Sequence, residues 1–162
     1  HPKWNFLGLE IREALVSSSE RKREKLELKN LKFLYCNVNV SLDQWLSDLD
    51  DDQLKRVSIQ FPDPWFKRKH TKRRVLKTTL LNSIARYMSK DGELFIQSDI
   101  FKLIESMTNV IDQSKFFDRK HVQGLKWLDK NPYESSTDRE LFVLNKNLPI
   151  YRAMYIRNST AS

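Results

Sequence analysis

The chain alternates short apolar runs with longer stretches whose apolar residues recur at helical spacing. The apolar runs have the length of buried strands and lie at residues 5–11, 31–36, 54–61 and 93–98. The helical stretches between and after them lie at residues 12–29, 75–88 and 100–111, with a shorter one through Trp45 and Leu46. Strands that alternate with helices predict an α/β fold with a mostly parallel sheet.

Local signals predict some of the boundaries. Ser41, with Gln44 three residues on, indicates the cap of the short helix, and Gly92 indicates a turn after the helix at 75–88. The last third is less regular. Its strand candidates are residues 116–122, 140–144 and 150–156. These closing strands are expected to add an antiparallel edge to the sheet.

The composition is that of one globular domain, residues 1–162, with 40% hydrophobic residues and 31% charged residues. No apolar stretch approaches the ~20 residues of a membrane span, so no membrane association is expected. Cys36 lies in an apolar run and is most simply a buried thiol in a reducing compartment, which favours a cytoplasmic location, although a nucleus or an organelle stays open. The sequence contains no CxxC or HExxH motif, so no metal site is predicted.

The net charge of +8 and the pI of about 9.6 indicate a polyanionic partner. Nucleic acid ranks ahead of an anionic membrane as that partner. A generally basic surface would give the same net charge and pI. The distribution of the cations along the chain therefore has to distinguish a nucleic-acid site from such a surface.

Polar side chains follow the predicted strands where each strand ends: Glu10, Asn37, Asn39, Asp63 and Asp99. In parallel α/β sheets, ligands bind at the carboxyl ends of the strands. The pattern therefore predicts a ligand site at this edge.

Residues 61–74 contain more candidate functional residues than any other segment of this length in the chain. Asp63 is held between Pro62 and Pro64, and the aromatic pair Trp65 and Phe66 follows. Six cations come next: Lys67, Arg68, Lys69, Lys72, Arg73 and Arg74. Rings beside cations suit a nucleotide, and these cations are predicted to contact the phosphates of RNA. A nuclear-localisation run or a solvated loop is the alternative, which the coupling to Asp63 disfavours.

This segment resembles the FPDPW-plus-basic signature of the tRNA (guanine-N7-)-methyltransferases, which are class I enzymes dependent on S-adenosylmethionine. Residues 5–12 are similar to that family's second strand, Ser98 and Asp99 to its Thr-Asp pair, and residues 137–140 to its Thr-x-x-Glu element. The ending at residues 148–152 looks like the cyanobacterial and plant branch. The resemblance covers nearly the whole chain.

The resemblance implies methyl transfer from S-adenosylmethionine to N7 of a guanine in the variable loop of tRNA. It implies that Glu10 binds the ribose of the cofactor, that Asn37 or Asn39 lies near the adenine, and that Asp63 is catalytic. The choice between the two asparagines stays open. The substrate-binding positions that it implies are Lys67, Asp99, Thr137, Asp138, Arg139 and Glu140.

The sequence departs from the family in its glycines. Class I methyltransferases carry a glycine-rich turn after the first strand, and Gly8, Gly92 and Gly124 do not form one. We therefore expect a Rossmann-like sheet without its first strand and glycine loop, so that the chain is the C-terminal portion of its domain. On this view it binds S-adenosylmethionine poorly and is inactive alone, because the glycine turn is missing. Exposed strand edges favour self-association, and a partner subunit is the alternative. The alternatives are an RNA-binding fragment that transfers nothing, and a methyltransferase with another substrate.

Overall fold

The computed structural model describes residues 2–50, 53–65, 73–120 and 124–159. The chain divides into two compact units, His1–Trp45 and Leu46–Ser162, which are taken separately below. The single domain expected from the sequence stays a prediction. Within the described ranges, no helix has the length and apolar content needed to cross a membrane.

The first unit is built on a strand–helix–strand motif. Strand β1 (Phe6–Glu10), helix α1 (Glu13–Lys25) and strand β2 (Leu31–Tyr35) follow one another, and helix α2 (Val38–Leu46) begins after β2. The two strands pair in parallel, with Glu10 opposite Tyr35. Their carboxyl ends therefore meet at one edge.

Strand β1 lies where the sequence predicts a strand, but the prediction that it is buried is wrong. Phe6 and Leu7 are 41% and 47% exposed. The reason is the small size of the layer, because β1 and β2 form a two-stranded sheet and α1 contains no buried residue.

Helix α2 begins earlier than the sequence suggests. Ser41, the predicted cap, lies inside the helix. Asn37 takes the capping place: its Oδ1 accepts from Asn39 N at 3.1 Å, and its carbonyl accepts from Val40 N and Ser41 N at 2.8 and 3.0 Å. Asparagine and serine cap helices about equally well. Asn37 is the cap because it lies just after the end of β2, where the helix begins.

The second unit contains a four-stranded sheet with helices. Its elements are β3 (Leu54–Gln60), α3 (Thr78–Tyr87), β4 (Met88–Ser98), α4 (Phe101–Asp112), β5 (Phe117–Arg119), α5 (Asp138–Asn145) and β6 (Tyr151–Arg157). The strand order is β3-β4-β6-β5, with β3 and β4 parallel and the other two pairings antiparallel. The antiparallel C-terminal edge expected from the sequence is thus confirmed. Strands β1 and β3 belong to separate sheets.

The core of the second unit lies along β4 and α4. Leu94, Phe95 and Ile96 are fully buried, as are Ile104 and Ile111 on the helix. The amphipathic helix covers the inner strand, which removes apolar surface from water. Such burial stabilises the fold by about 25 cal/mol per Å² of apolar surface. This packing holds the carboxyl ends of β3 and β4 in place.

Gly92 lies inside β4 and is not a turn residue after α3. Leu54 pairs with Met88, but Arg56 pairs with Glu93, so the intervening residues of β4 bulge, and Asp91 has a φ of 62°. A Cβ on Gly92 would lie 2.8 Å from the backbone oxygen of Ser89 and 2.5 Å from Met88 Cγ. The close approach of the backbone therefore explains this glycine.

Residues 140–144, a strand candidate from the sequence, belong to helix α5. Thr137 caps the helix, since its Oγ1 accepts from Glu140 N at 3.2 Å. Threonine followed three residues later by glutamate is the capping-box pattern. That local signal outweighs the apolar run that suggested a strand.

Candidate functional site

Asp63 and Asp99 lie at the same edge of the four-stranded sheet. Gln60 pairs with Gln97 in the parallel register of β3 and β4, and Phe61 N donates to Gln97 O at 2.9 Å. Strand β3 ends at Gln60 and strand β4 at Ser98, so Asp63 and Asp99 follow their ends. The sequence predicts five polar residues at one edge, and the register of β3 and β4 brings these two of the five together. Asp63 is exposed.

The turn that carries Asp63 is strained. Phe61 has a φ of 48°, in the left-handed region that is unfavourable for an aromatic residue by roughly 1–2 kcal/mol. Pro62 follows and fixes the next φ. Strain of this kind concentrates at functional sites, because the surroundings must hold it in place.

The start of helix α5 is tied to the end of β4 by an ion pair. Arg139 Nη2 lies 2.6 Å from Asp99 Oδ2, with the Asp99 side chain 12% exposed and that of Arg139 50% exposed. These residues were predicted separately as substrate-binding positions, and they contact each other. Thr137 and Asp138 lie in the same helix start, and Asp138 is exposed.

Glu140 is buried in a polar network. Its Oε1 accepts from Arg152 Nη2 at 2.9 Å, and its Oε2 accepts from Asn131 Nδ2 at 2.8 Å and from Gln97 Nε2 at 3.2 Å. Burial raises the pKa of the Glu140 carboxyl, but the hydrogen bonds from these three residues outweigh it, so the pKa lies below its usual value. Glu140 is therefore an ionised anchor between α5 and the sheet.

Sequence reasoning missed Gln97, Asn131 and Arg152. Arg152 Nε donates to Gln97 Oε1 at 3.1 Å, and Gln97 Nε2 also donates to Gln60 Oε1 at 2.6 Å. Gln97 is 0% and Arg152 5% exposed. The sequence contained a signal for Gln97 and Arg152, because a polar side chain inside an otherwise apolar strand requires buried partners.

Four of the six predicted phosphate-binding cations, Lys67, Arg68, Lys69 and Lys72, lie outside the described residues. Arg73 is exposed, with its guanidinium carbon 5.0 Å from the centroid of the Trp65 ring. Arg74 is half-buried and donates from Nη1 to Ser106 Oγ at 3.2 Å. The two arginines thus stand in different surroundings.

In the first unit, Glu10 ends β1 and is engaged by Arg12. Glu10 Oε1 accepts from Arg12 N and Nε at 3.0 and 3.1 Å, and its Oε2 accepts from Arg12 Nη2 at 3.3 Å. Burial raises the pKa of Glu10, but these hydrogen bonds and the nearby charge outweigh it, so the pKa is lowered. The carboxylate is ionised and its side chain is 29% exposed, which suits an acceptor for hydroxyl groups.

Asn37 and Asn39 lie beyond the end of β2, at the same edge as Glu10. The register places Tyr35 opposite Glu10, and Asn37 follows two residues later. Asn37 is exposed, and Asn39, in the first turn of α2, is half-buried. Both can serve a ligand at this edge, so the choice between them stays open.

Cys36 is half-buried rather than buried, and burial raises the pKa of its thiol. A protonated thiol is a poor nucleophile. Within the described ranges, no group of three or more His, Cys, Asp or Glu side chains is placed to hold a metal ion. The chemistry of the chain therefore centres on its carboxylates and cations.

The chain matches known proteins along nearly its whole length. Residues 1–153 match a family described as "Putative methyltransferase". A tRNA (guanine-N(7)-)-methyltransferase of Prochlorococcus marinus strain NATL1A is 74% identical over 159 residues, which cover 98% of this chain and 74% of that protein. The chain belongs to the tRNA (guanine-N7-)-methyltransferase family. Proteins of the same name from Prochlorococcus marinus strain MIT 9313 and Parasynechococcus marenigrum strain WH8102 are 53% and 46% identical, covering 97% and 99% of this chain and 66% and 68% of theirs. The family predicted from the motifs is confirmed.

Solved structures share the fold at low sequence identity. An rRNA methylase from Streptococcus thermophilus superposes with a TM-score of 0.58 at 13% identity, covering 96% of this chain and 74% of that one. A SAM-dependent O-methyltransferase from Thermotoga maritima gives 0.58 at 10% identity, covering 99% and 52%. The predicted α/β methyltransferase fold is thereby confirmed.

Proposed function

We propose that this protein transfers the methyl group of S-adenosylmethionine to N7 of a guanine in tRNA. The observation that carries the proposal is the meeting of Asp63, Asp99 and the start of α5 at one edge of the four-stranded sheet. The names of the relatives, which are 46% to 74% identical, support the same substrate.

The residues at the edge of the β1–β2 sheet fit the cofactor. An ionised Glu10 can accept from the two neighbouring ribose hydroxyls, and an asparagine amide can both donate to and accept from an adenine edge. We assign the ribose to Glu10 and the adenine to Asn37 or Asn39. When bound, the cofactor supplies a methyl group on a sulfonium, which is an electrophile.

The guanine requires positioning more than proton removal. Its N7 carries a free lone pair at neutral pH, so a strong base is not needed, and orientation and electrostatics carry the rate. We propose that the Asp63 carboxylate accepts hydrogen bonds from the guanine N1–H and N2–H₂, because this carboxylate is exposed. The same negative charge favours the positive charge that develops on the ring.

Residues 137–140 and Asp99 form the other side of the proposed guanine site. Thr137, Asp138 and Arg139 stand at the helix start, and Arg139 is held by Asp99. Glu140 already accepts hydrogen bonds from three buried side chains, so we assign it a positioning role behind Arg139. Lys67 keeps the substrate-binding role that the family resemblance implies.

The tRNA backbone is assigned to the cations that follow Asp63, of which Arg73 is exposed. A phosphate contact from each of them, except Arg74, which donates to Ser106, would add affinity that falls with salt. Since tRNA and S-adenosylmethionine are made inside cells, the proposal also places the protein there.

The test is product analysis. The protein, with any residues that flank this chain in its gene, is incubated with unmodified tRNA and S-adenosylmethionine carrying a labelled methyl group, and the digested nucleosides are separated by mass. We expect labelled 7-methylguanosine, with Asp63→Asn as the impaired control. Binding of tRNA without any transfer would support the RNA-binding alternative, and a methyl group on another atom would require another substrate assignment.

A further inference from the structure

Three aromatic rings form a corner just beyond the end of β4. Phe101, the first residue of α4, lies 5.2 Å from Tyr151 and 6.3 Å from Trp127 between ring centroids, and Trp127 lies 5.7 Å from Tyr151. All three pairs meet edge to face. We call Phe101, Trp127 and Tyr151 the aromatic corner.

The corner is adjacent to the proposed guanine site. Tyr151 pairs with Ser98 in the register of β4 and β6, and Asp99 is the next residue after Ser98. The loop of Trp127 is fastened to β6, since Leu128 N donates to Arg152 O at 2.9 Å. The corner is therefore built on the elements that hold Asp99 and Glu140.

Two cations lie over the rings of the corner. Lys126 Nζ lies 5.3 Å from the Trp127 centroid and 6.0 Å from that of Phe101, and the Arg119 guanidinium lies 5.2 Å from Trp127. Arg119 is held in place, because it donates to Lys126 O at 2.6 Å and lies 3.5 Å from Asp112. Lys126 is exposed.

The exposed part of the corner has the chemistry of a nucleotide contact. Phe101 is 42% exposed, so part of its ring is accessible to a ligand. A flat ring stacks on any unpaired base, and an ammonium beside it meets the phosphate. A nucleotide combines a flat base with an anionic phosphate, which match the exposed ring of Phe101 and the ammonium of Lys126 beside it.

We propose that Phe101 and Lys126 bind an unpaired nucleotide of the tRNA that flanks the methylated guanosine. The proposal rests on the function proposed above and adds a contact outside residues 61–74. Phe101 stacks on the base, Lys126 neutralises its phosphate, and Trp127 and Tyr151 hold Phe101 in orientation. The contact binds substrate and takes no part in methyl transfer.

The test compares Phe101→Leu with Phe101→Trp. Leucine keeps apolar packing but lacks a flat face, whereas tryptophan keeps the face. We expect Phe101→Leu to raise both the Kd and the KM for tRNA about tenfold with kcat unchanged, and Phe101→Trp to restore them. Lys126→Ala is expected to weaken binding and to lower the salt slope by about one counterion.

The matched control is Tyr87, whose ring also carries a cation, Arg86, 5.4 Å from its centroid, but which lies at the opposite end of β4. Tyr87→Leu should leave the Kd unchanged. The proposal is overturned if Phe101→Leu binds tRNA normally, or if Phe101→Trp is as impaired as Phe101→Leu. The Kd for tRNA is measured without turnover, so it tests the Phe101 contact even if no 7-methylguanosine forms. Absence of 7-methylguanosine would instead reject the proposed reaction.

Discussion

Glu140 and Arg152 form a buried ion pair, with Arg152 Nη2 2.9 Å from Glu140 Oε1 and the two side chains 1% and 6% exposed. The pair joins helix α5 to strand β6. Removing one partner leaves the other charge buried and uncompensated, which is far more costly than the loss of a surface pair.

Glu140→Ala is accordingly expected to lower the free energy of unfolding by about 3–5 kcal/mol, measured by urea denaturation. Asp138→Ala is the control, since Asp138 lies in the same helix but is exposed, and it should cost less than about 1 kcal/mol. Equal losses in the two variants would contradict the anchoring role of Glu140.

The same carboxylate should make stability depend on pH. The pKa of Glu140 is lower in the folded protein than its ordinary value of 4.5, so its contribution is fully present above that value and is lost as the pH falls through the folded pKa. Urea midpoints should therefore fall on going from about pH 5 to about pH 3, and the fall should be smaller in Glu140→Gln. A Glu140→Gln protein with an undiminished acid slope would show that other groups carry it.

Asp63 should matter for turnover and not for folding, because it is exposed beyond the end of β3. In the protein with the residues that flank this chain in its gene, Asp63→Ala is expected to lower kcat on tRNA by on the order of 10²-fold, with an unchanged urea midpoint. Glu134→Ala, which removes another exposed carboxylate of the same unit, is the control for the change in net charge. A normal kcat in Asp63→Ala would show that the role is misassigned.

Glu10 should act on cofactor affinity alone. Glu10→Gln removes a charged acceptor of two hydroxyls, so the Kd for S-adenosylmethionine should rise about tenfold or more while the Kd for tRNA stays constant. Calorimetric titration measures the first and anisotropy the second. Glu13→Ala, an exposed carboxylate in the first turn of α1, should leave both values unchanged, and a matching loss there would argue against a specific contact.

Arg73 and Arg74 should differ in spite of being neighbours. Arg73→Ala is expected to lower the salt slope of tRNA binding by about one counterion, because the side chain is exposed. Arg74→Ala should act on stability, because Arg74 donates to Ser106 on α4. Neutralising Lys67, Lys69 and Arg73 together should flatten the salt dependence further, by about one counterion for each phosphate that is no longer neutralised. An unchanged slope in the triple variant would reject the assignment of the basic segment to the tRNA phosphates.

The sequence alone determined the order of strands and helices except for α5, together with the antiparallel edge and the polar residues at the strand ends. These follow from local periodicity and from motifs of adjacent residues, as at Pro62, Asp63 and Pro64. The Thr137 and Glu140 capping pattern was equally local, although the apolar residues after it were assigned to a strand. Asn37 and Ser41 were both plausible caps, and the point where β2 ends selected Asn37.

Only the tertiary structure decided which side chains meet. Gln97 and Arg152 stand 55 positions apart, and Asp99 and Arg139 stand 40 apart, so neither contact leaves a periodic signal. The register of β4 against β6 brings Gln97 opposite Arg152, and the placement of α5 brings Glu140 to both. These side chains form a fixed hydrogen-bond network because they are buried. A buried polar group needs a hydrogen-bond partner, and the fold determines which groups lie close enough to serve as one.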